Sequence, residues 1–183
     1  MSLIVEFCRT IILLIPEYVA NGSPPVISKI LEGKCTPLDG GRNFIDGKRI
    51  LGDGKTVEGF VGGVLAGYSI SLIIYSILIA LLPRRILSLF YIPSPPHVLI
   101  LCILALSGDL LGAFIKRRLG LARGAPAPIL DQLDFLMFPL LYIYFILGIH
   151  DYYIYVIAVL FTLFMHLFTN YVAYKLGIKS VPW

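Results

Sequence analysis

From Gly59 to Leu82 the chain runs without a Lys, Arg, Asp or Glu, and from Tyr152 to Tyr174 it does so again. In lipid, the backbone polar groups of such a run must be satisfied within the segment, which makes it a helix. A span needs about 20 predominantly apolar residues, and both runs are long enough. The rest of the chain is similar: 58% of its 183 residues are hydrophobic and 14% charged, against roughly 45–50% and about 25% in a soluble domain. The sequence therefore predicts an all-α integral membrane protein, a single membrane domain over 1–183, with about five transmembrane helices. Their expected bounds are 3–22, 57–82, 97–115, 133–149 and 152–175, joined on one side by loops 23–56 and 116–132. The first segment carries Glu6, Arg9 and Glu17 and has neither a basic leader nor an Ala-x-Ala pattern. It reads as a retained helix packed against others, not as a secretory signal. The fourth is short, and His150-Asp151 after it predicts a tight helical hairpin.

Orientation follows from the cations, because loops rich in Lys and Arg stay cytoplasmic. Twelve of the 15 Lys and Arg residues fall in loop 23–56, in loop 116–132 and in the tail, all on one side of a five-helix topology. Arg84 and Arg85 lie on the other side, and Arg9 is ambiguous. The N-terminus is expected outside and the C-terminus in the cytoplasm. Two basic cytoplasmic loops suit phosphates or anionic headgroups, although such loops commonly do no more than set topology. Cys8, Cys35 and Cys102 are odd in number and scattered, which excludes a disulfide framework or a Cys-based metal site. The many Tyr and Phe residues read as interfacial belts and do not argue for nucleic acid.

The first loop contains PLDGGRNFIDGKRILGDGKTVEGFVGG, residues 37–63, with Gly at 40, 41, 47, 52, 54, 59, 62 and 63. Such density lets backbone N–H groups approach a ligand, and the lysines add point charges for phosphate. GDGKT is not a P-loop, since the pattern needs glycine where Arg49 stands. Ordinary turn chemistry explains a Gly/Asp-rich loop equally well. Position favours function: Lys55-Thr56 immediately precedes a membrane helix, whose N-terminus could face the same phosphate as Lys55.

Asp109 falls inside the third expected span, where an ionised carboxylate costs roughly 2.5–3.5 kcal/mol unless paired or hydrated. Lys116 lies two helical turns further on, on the same face, and Gly108 and Gly112 flank that face, allowing close helix approach or passage of a ligand. A buried ion pair with Arg9 or another cation is the alternative. Asp131 and Asp134 share a side of the next helix; a plain reading makes Asp131 an N-cap and sets Asp134 at the positive helix end. Together with Asp109 they make a hard oxygen cluster of the kind that holds Mg²⁺ alongside water and substrate phosphates. His166, inside the fifth span, reads as a packed or hydrogen-bonded residue that could face a ligand.

The stretch GDLLGAFIKRRLGLARGAPAPILDQLD, residues 108–134, resembles the signature of the CTP-dependent phosphatidate cytidylyltransferases: Gly108-Asp109, Lys116-Arg117, then Asp131-x-x-Asp134. Gly112-Ala113 stands where the bacterial pattern has Glu/Ser, and APAPIL replaces its HGG. With the small size, YVANGSPP and PLDGGRNFIDGKRILGDGKT, the chain is more similar to the archaeal relatives, the CDP-archaeol synthase family. That resemblance implies transfer of the cytidylyl group of CTP to 2,3-di-O-geranylgeranylglyceryl 1-phosphate, with Mg²⁺, giving CDP-archaeol and pyrophosphate. It implies metal binding by Asp109, Asp131 and Asp134, and phosphate binding by Lys55, Lys116 and Arg117. Asn21, Asp53, Gly54 and Thr56 would line the nucleotide site. The expected location is the cell membrane, with the site on the cytoplasmic side. The expected partners are CTP, a prenyl-ether lipid phosphate and membrane lipids, and a homodimer is allowed. Two other readings stand beside it. One is the same reaction on phosphatidic acid; the other is a transporter with Asp109 as an ion site, against which the lack of an inverted repeat argues.

Overall fold

The structure is a computed structural model that describes residues 2–122 and 125–177. Arg123 and Lys179, counted above for topology, lie outside the described residues. Among the described residues seven helices follow one another: α1 (Leu3–Leu13), α2 (Ile15–Ile30), α3 (Val57–Leu81), α4 (Arg84–Leu87), α5 (Pro95–Arg118), α6 (Leu130–Phe145) and α7 (Tyr152–Lys175). By length and composition three of them can cross a membrane: α3, α5 and α7. The 16 residues of α6 rise about 24 Å at ~1.5 Å each, less than a hydrocarbon core of ~30 Å.

The expected first span, 3–22, is two helices broken at Leu14. Pro16 has no N–H to give the carbonyl four residues back, and that carbonyl, of Ile12, accepts the Tyr75 hydroxyl of α3 at 2.9 Å instead. Expected loop 23–56 likewise starts later, because α2 runs on through Pro24 and Pro25 to Ile30. The Ala20 carbonyl, which Pro24 cannot satisfy, lies against α3: a Cβ built at Gly63 would sit 2.9 Å from it. A Cβ at Gly67 would be 2.9 Å from the Pro16 carbonyl. Gly63 and Gly67, one turn apart, thus let α2 and α3 touch backbone to backbone. At its other end, expected loop 116–132 gives up residues to both neighbours, since α5 continues through Arg118 and α6 begins at Leu130.

Two apolar clusters hold the bundle. One joins α1, α2, α5, α6 and α7 around Leu13, Leu101, Leu136, Ile143 and Ile154, and the other joins α2, α3 and α5 around Ala20, Tyr75, Val98 and Cys102. The charges of the first segment are buried, as expected of a packed helix. Arg9 pairs with Glu6 at 2.9 Å and Asp151 at 3.2 Å and lies 4.6 Å over the Tyr91 ring. That network offsets the cost of a charge in lipid and ties α1 to the start of α7, where Asp151 also caps the helix by accepting from Tyr153 N–H.

Candidate active site

At the end of the bundle away from Arg9, a cavity of about 630 Å³ opens among α2, α3, α5, α6 and α7. Asn21, Asp53, Gly54, Lys55, Thr56, Asp109, Lys116, Asp131 and Asp134 all line it. Arg117 does not; it lines a smaller cavity of about 200 Å³, which shares Gly54, Lys55, Asp109, Lys116, Asp131 and Asp134 with the larger one. The structure therefore gathers the sequence-predicted residues from α2, the first loop, α5 and α6 around two adjoining spaces.

The first loop is a built object. Its ends are zipped by Val57 N–H to Thr36 C=O at 2.9 Å and Leu38 N–H to Lys55 C=O at 2.8 Å. Inside it, the buried Asp39 carboxylate accepts from the N–H groups of Gly41, Leu51 and Gly52, at 3.0, 3.0 and 2.9 Å, and from Arg49 at 2.7 Å. The Arg49 guanidinium holds the Asp39 carboxyl well below the usual carboxylate range, against the effect of burial and with the backbone N–H groups adding to it. Asp39, followed by Asp53, raises Arg49 in turn. Gly52 takes φ +94°, a conformation only glycine adopts without strain. This arrangement aims the next turn at the cavity. Thr56 caps α3 by accepting from Gly59 N–H at 3.1 Å, and Lys55 Nζ reaches both oxygens of Asp109 at 2.6 Å. Asp109 is thus paired by Lys55 and not by Arg9.

From the other side, Lys116 Nζ lies 2.8 and 3.1 Å from the oxygens of Asp131. Asp131 is not the N-cap of α6, which is Ile129. The Asp131 carboxylate, already inside the first turn, folds back to accept from Ala127 N–H at 2.9 Å. Asp134 accepts from Phe135 N–H at 2.7 Å and makes no ion pair among the described residues. Gly108 and Gly112 permit its position: a Cβ at Gly108 would sit 2.1 Å from the Asp134 carbonyl oxygen, and one at Gly112 2.1 Å from Asp134 Oδ2. Close helix approach, of the two uses open to these glycines, is the one seen.

The donor set suits Mg²⁺, which is held by one or two carboxylates, with waters and substrate phosphates completing the shell. It is not a ready protein cage, because among the described residues no three His, Cys, Asp or Glu side chains converge on one point.

A family model described as CarS-like CDP-archaeol synthase matches residues 1–183. The chain belongs to the CDP-archaeol synthase family. It is 44% identical over 173 residues to a CDP-archaeol synthase of Methanocaldococcus jannaschii, covering 93% of each chain. With that of Sulfolobus acidocaldarius it shares 44% over 174 residues, covering 94% of this chain and 96% of the relative. A solved structure described as an intramembrane enzyme for archaeal membrane lipids biosynthesis superposes with a TM-score of 0.71 at 35% identity, over 90% of this chain and 94% of that one. With its three spanning-length helices, this family member is a membrane protein.

Three parts of the site escaped sequence reading. Thr169 and Asn170 of α7 line the large cavity beside His166 and Ala173; their spacing of three and four from His166 puts one polar stripe on a helix with no full charge before Lys175, a signal of which the sequence raised only His166. Asp39 was one acid among several in its loop. Arg118, third of a basic run, fastens that loop to α5: it donates to the Arg49 carbonyl at 2.5 Å, pairs with Asp46 at 2.9 Å and stacks 4.9 Å from the Phe44 and Phe114 rings.

Proposed function

We propose that this chain is a CTP-dependent cytidylyltransferase that acts on 2,3-di-O-geranylgeranylglyceryl 1-phosphate, giving CDP-archaeol and pyrophosphate at the cytoplasmic face of the membrane. The observation that carries the reading is the pair of lysine–aspartate contacts, Lys55–Asp109 and Lys116–Asp131, in a cavity that also has apolar walls from Phe60, Leu106 and Leu110. A polar centre able to handle phosphates thus meets an apolar surface able to take a lipid.

Nucleotidyl transfer asks for positioning and charge neutralisation. An oxygen of the lipid phosphate attacks the α-phosphorus of CTP in line; the new P–O bond forms as the bond to the β-phosphate oxygen breaks, and its electron pair leaves with pyrophosphate. No general base is required, because the attacking oxygen is already anionic. Lys55 and Lys116 neutralise charge at the centre, and Arg117, from the smaller cavity, takes the outer phosphates. Asn21 offers an amide to the nucleotide from α2, while Asp53, Gly54 and Thr56 complete the wall. Asp109, Asp131 and Asp134 would hold Mg²⁺ with the phosphates, and its chemistry there is neutralisation of the phosphate charge. In the membrane, α1 and α2 together make one crossing and α3, α5, α6 and α7 the other four. The cation bias supports an outside N-terminus and cytoplasmic loops 31–56 and 119–129.

Purified protein in detergent should convert labelled CTP and the prenyl-ether lipid phosphate to CDP-lipid with Mg²⁺, and not with EDTA present. Transfer to phosphatidic acid at an equal or higher rate would select the diacyl reading. Absence of any CDP-lipid, with an Asp109-dependent ion flux, would overturn the enzyme reading altogether.

A further inference from the structure

Each lysine of the large cavity sits on a carboxylate that the proposed chemistry also needs. Lys55 Nζ is 2.6 Å from both oxygens of Asp109, and Lys116 Nζ is 2.8 and 3.1 Å from those of Asp131. A Mg²⁺ ion binds oxygen at about 2.1 Å and demands a near-octahedral shell. An ammonium that bridges both oxygens of a carboxylate occupies the same ground. The ammonium and a divalent cation therefore compete for the same two oxygens, and at this spacing their like charges repel. The pairs are tight but not locked away: side-chain exposure is 29% and 22% for Lys55 and Asp109, and 14% and 27% for Lys116 and Asp131. Both pairs face both cavities, so each ammonium has room to turn toward a phosphate on either side. Asp134 alone of the three aspartates has no lysine among the described ion pairs, which leaves one carboxylate, too few for a divalent cation to be held by the protein alone.

We propose that Lys55–Asp109 and Lys116–Asp131 form a counter-ion exchange: the nucleotide phosphates draw the two lysines away, and the bared carboxylates then accept the divalent cation. This rests on the nucleotidyl-transfer reading and adds an order to it. Cation and nucleotide bind together or weakly, and by linkage each raises the affinity of the other by the same factor. The lysines have two successive partners. They neutralise the aspartates first and the phosphates afterwards, so the half-buried acids are not left to repel one another.

The test separates this from a merely structural role, because it predicts that removing a cation-repelling lysine improves cation binding. Mn²⁺ stands in for Mg²⁺ and is followed by its paramagnetic resonance signal on the full chain in detergent, without nucleotide. Lys55→Met and Lys116→Met should each bind free Mn²⁺ about tenfold more tightly than the parent, within the usual 5–150-fold span of site coupling. The same variants should bind CTP more weakly. Adding Asp109→Asn to Lys55→Met should abolish the gain. If a methionine variant does not fold, Lys55→Gln and Lys116→Gln, which put a neutral polar donor in place of the ammonium, should show the same direction. Mn²⁺ affinity unchanged or lower in the folded lysine variants would overturn the exchange while leaving the transferase reading intact. Loss of that reading would show instead as absence of CDP-lipid from the parent protein.

Discussion

Gly108→Ala puts the α5–α6 contact to a quantitative test. A Cβ at Gly108 would lie 2.1 Å from the Asp134 carbonyl oxygen and 3.2 Å from the Phe135 Cα. Ordinary contact begins near 3.4 Å, so α6 must retreat by ~1.3 Å at Asp134, and the obstacle is backbone that cannot swing aside. Overpacking of this kind costs typically about 1–3 kcal/mol, which a helix bundle survives. The site suffers more, because Asp131 and Asp134 travel with α6 while Asp109 and Lys116 stay on α5. A misplacement of about 1 Å can cost on the order of 10²-fold in rate. The variant should therefore still fold and elute like the parent, unfold at a temperature lower by several degrees, and lose about 100-fold in kcat/KM for CDP-lipid formation. Gly62→Ala is the control: its Cβ would meet Ile27 Cδ1 at 2.6 Å, the far end of a flexible side chain, and activity should change less than about threefold. If Gly108→Ala kept kcat/KM within threefold of the parent, the argument that backbone contact sets the aspartate positions would be wrong.

Arg118→Ala should raise KM for CTP about tenfold, the worth of one charged hydrogen bond, with kcat little changed. Arg118→Lys should not rescue it, because one ammonium cannot replace a planar fork whose Nη2 donates to the Lys48 and Arg49 carbonyls while Nη1 pairs with Asp46. Asp39 titrates below the usual carboxylate range in the folded loop, so its contribution is fully present above the unfolded value of about 3.9 and is lost as pH falls through the folded one. Limited proteolysis of loop 31–56 should accordingly show no change between neutral pH and mild acid and rising cleavage at lower pH; Asp39→Asn should be cleaved faster already at neutral pH. Tyr75→Phe leaves the Ile12 carbonyl that Pro16 frees without its partner and should destabilise the protein by about 1–3 kcal/mol. The readout is thermal unfolding in detergent, with the KM for CTP unchanged.

The two long runs free of charged residues were legible as helices because lipid offers a backbone no other partner, and the expected span 152–175 matches α7 (Tyr152–Lys175). The expected loop start at 23 did not hold. The helix α2 passes through Pro24 and Pro25, and the Ala20 carbonyl that Pro24 leaves lies against Gly63 of α3, a neighbour that only packing supplies. Asp131 looked like a cap by residue type; Lys116, reaching across from α5, and the Ala127 N–H took its oxygens instead.

What the sequence determined unaided was the solvent and the reagents. A chain this apolar lives in a membrane, and an acid kept inside a span, as Asp109 is, costs too much to be idle; Lys116, Asp131, Asp134 and Lys55 stand at or beside helix ends on the same side. What only tertiary structure decided was the partnership among them. Lys55 and Asp109 lie 54 positions apart and meet at 2.6 Å because Asp39 and Arg118 set the loop and the glycines of α5 set α6. Burial cost is a property of each residue in its own segment and can be read along the chain, whereas a counter-ion is chosen by distance, which exists only once the helices have packed.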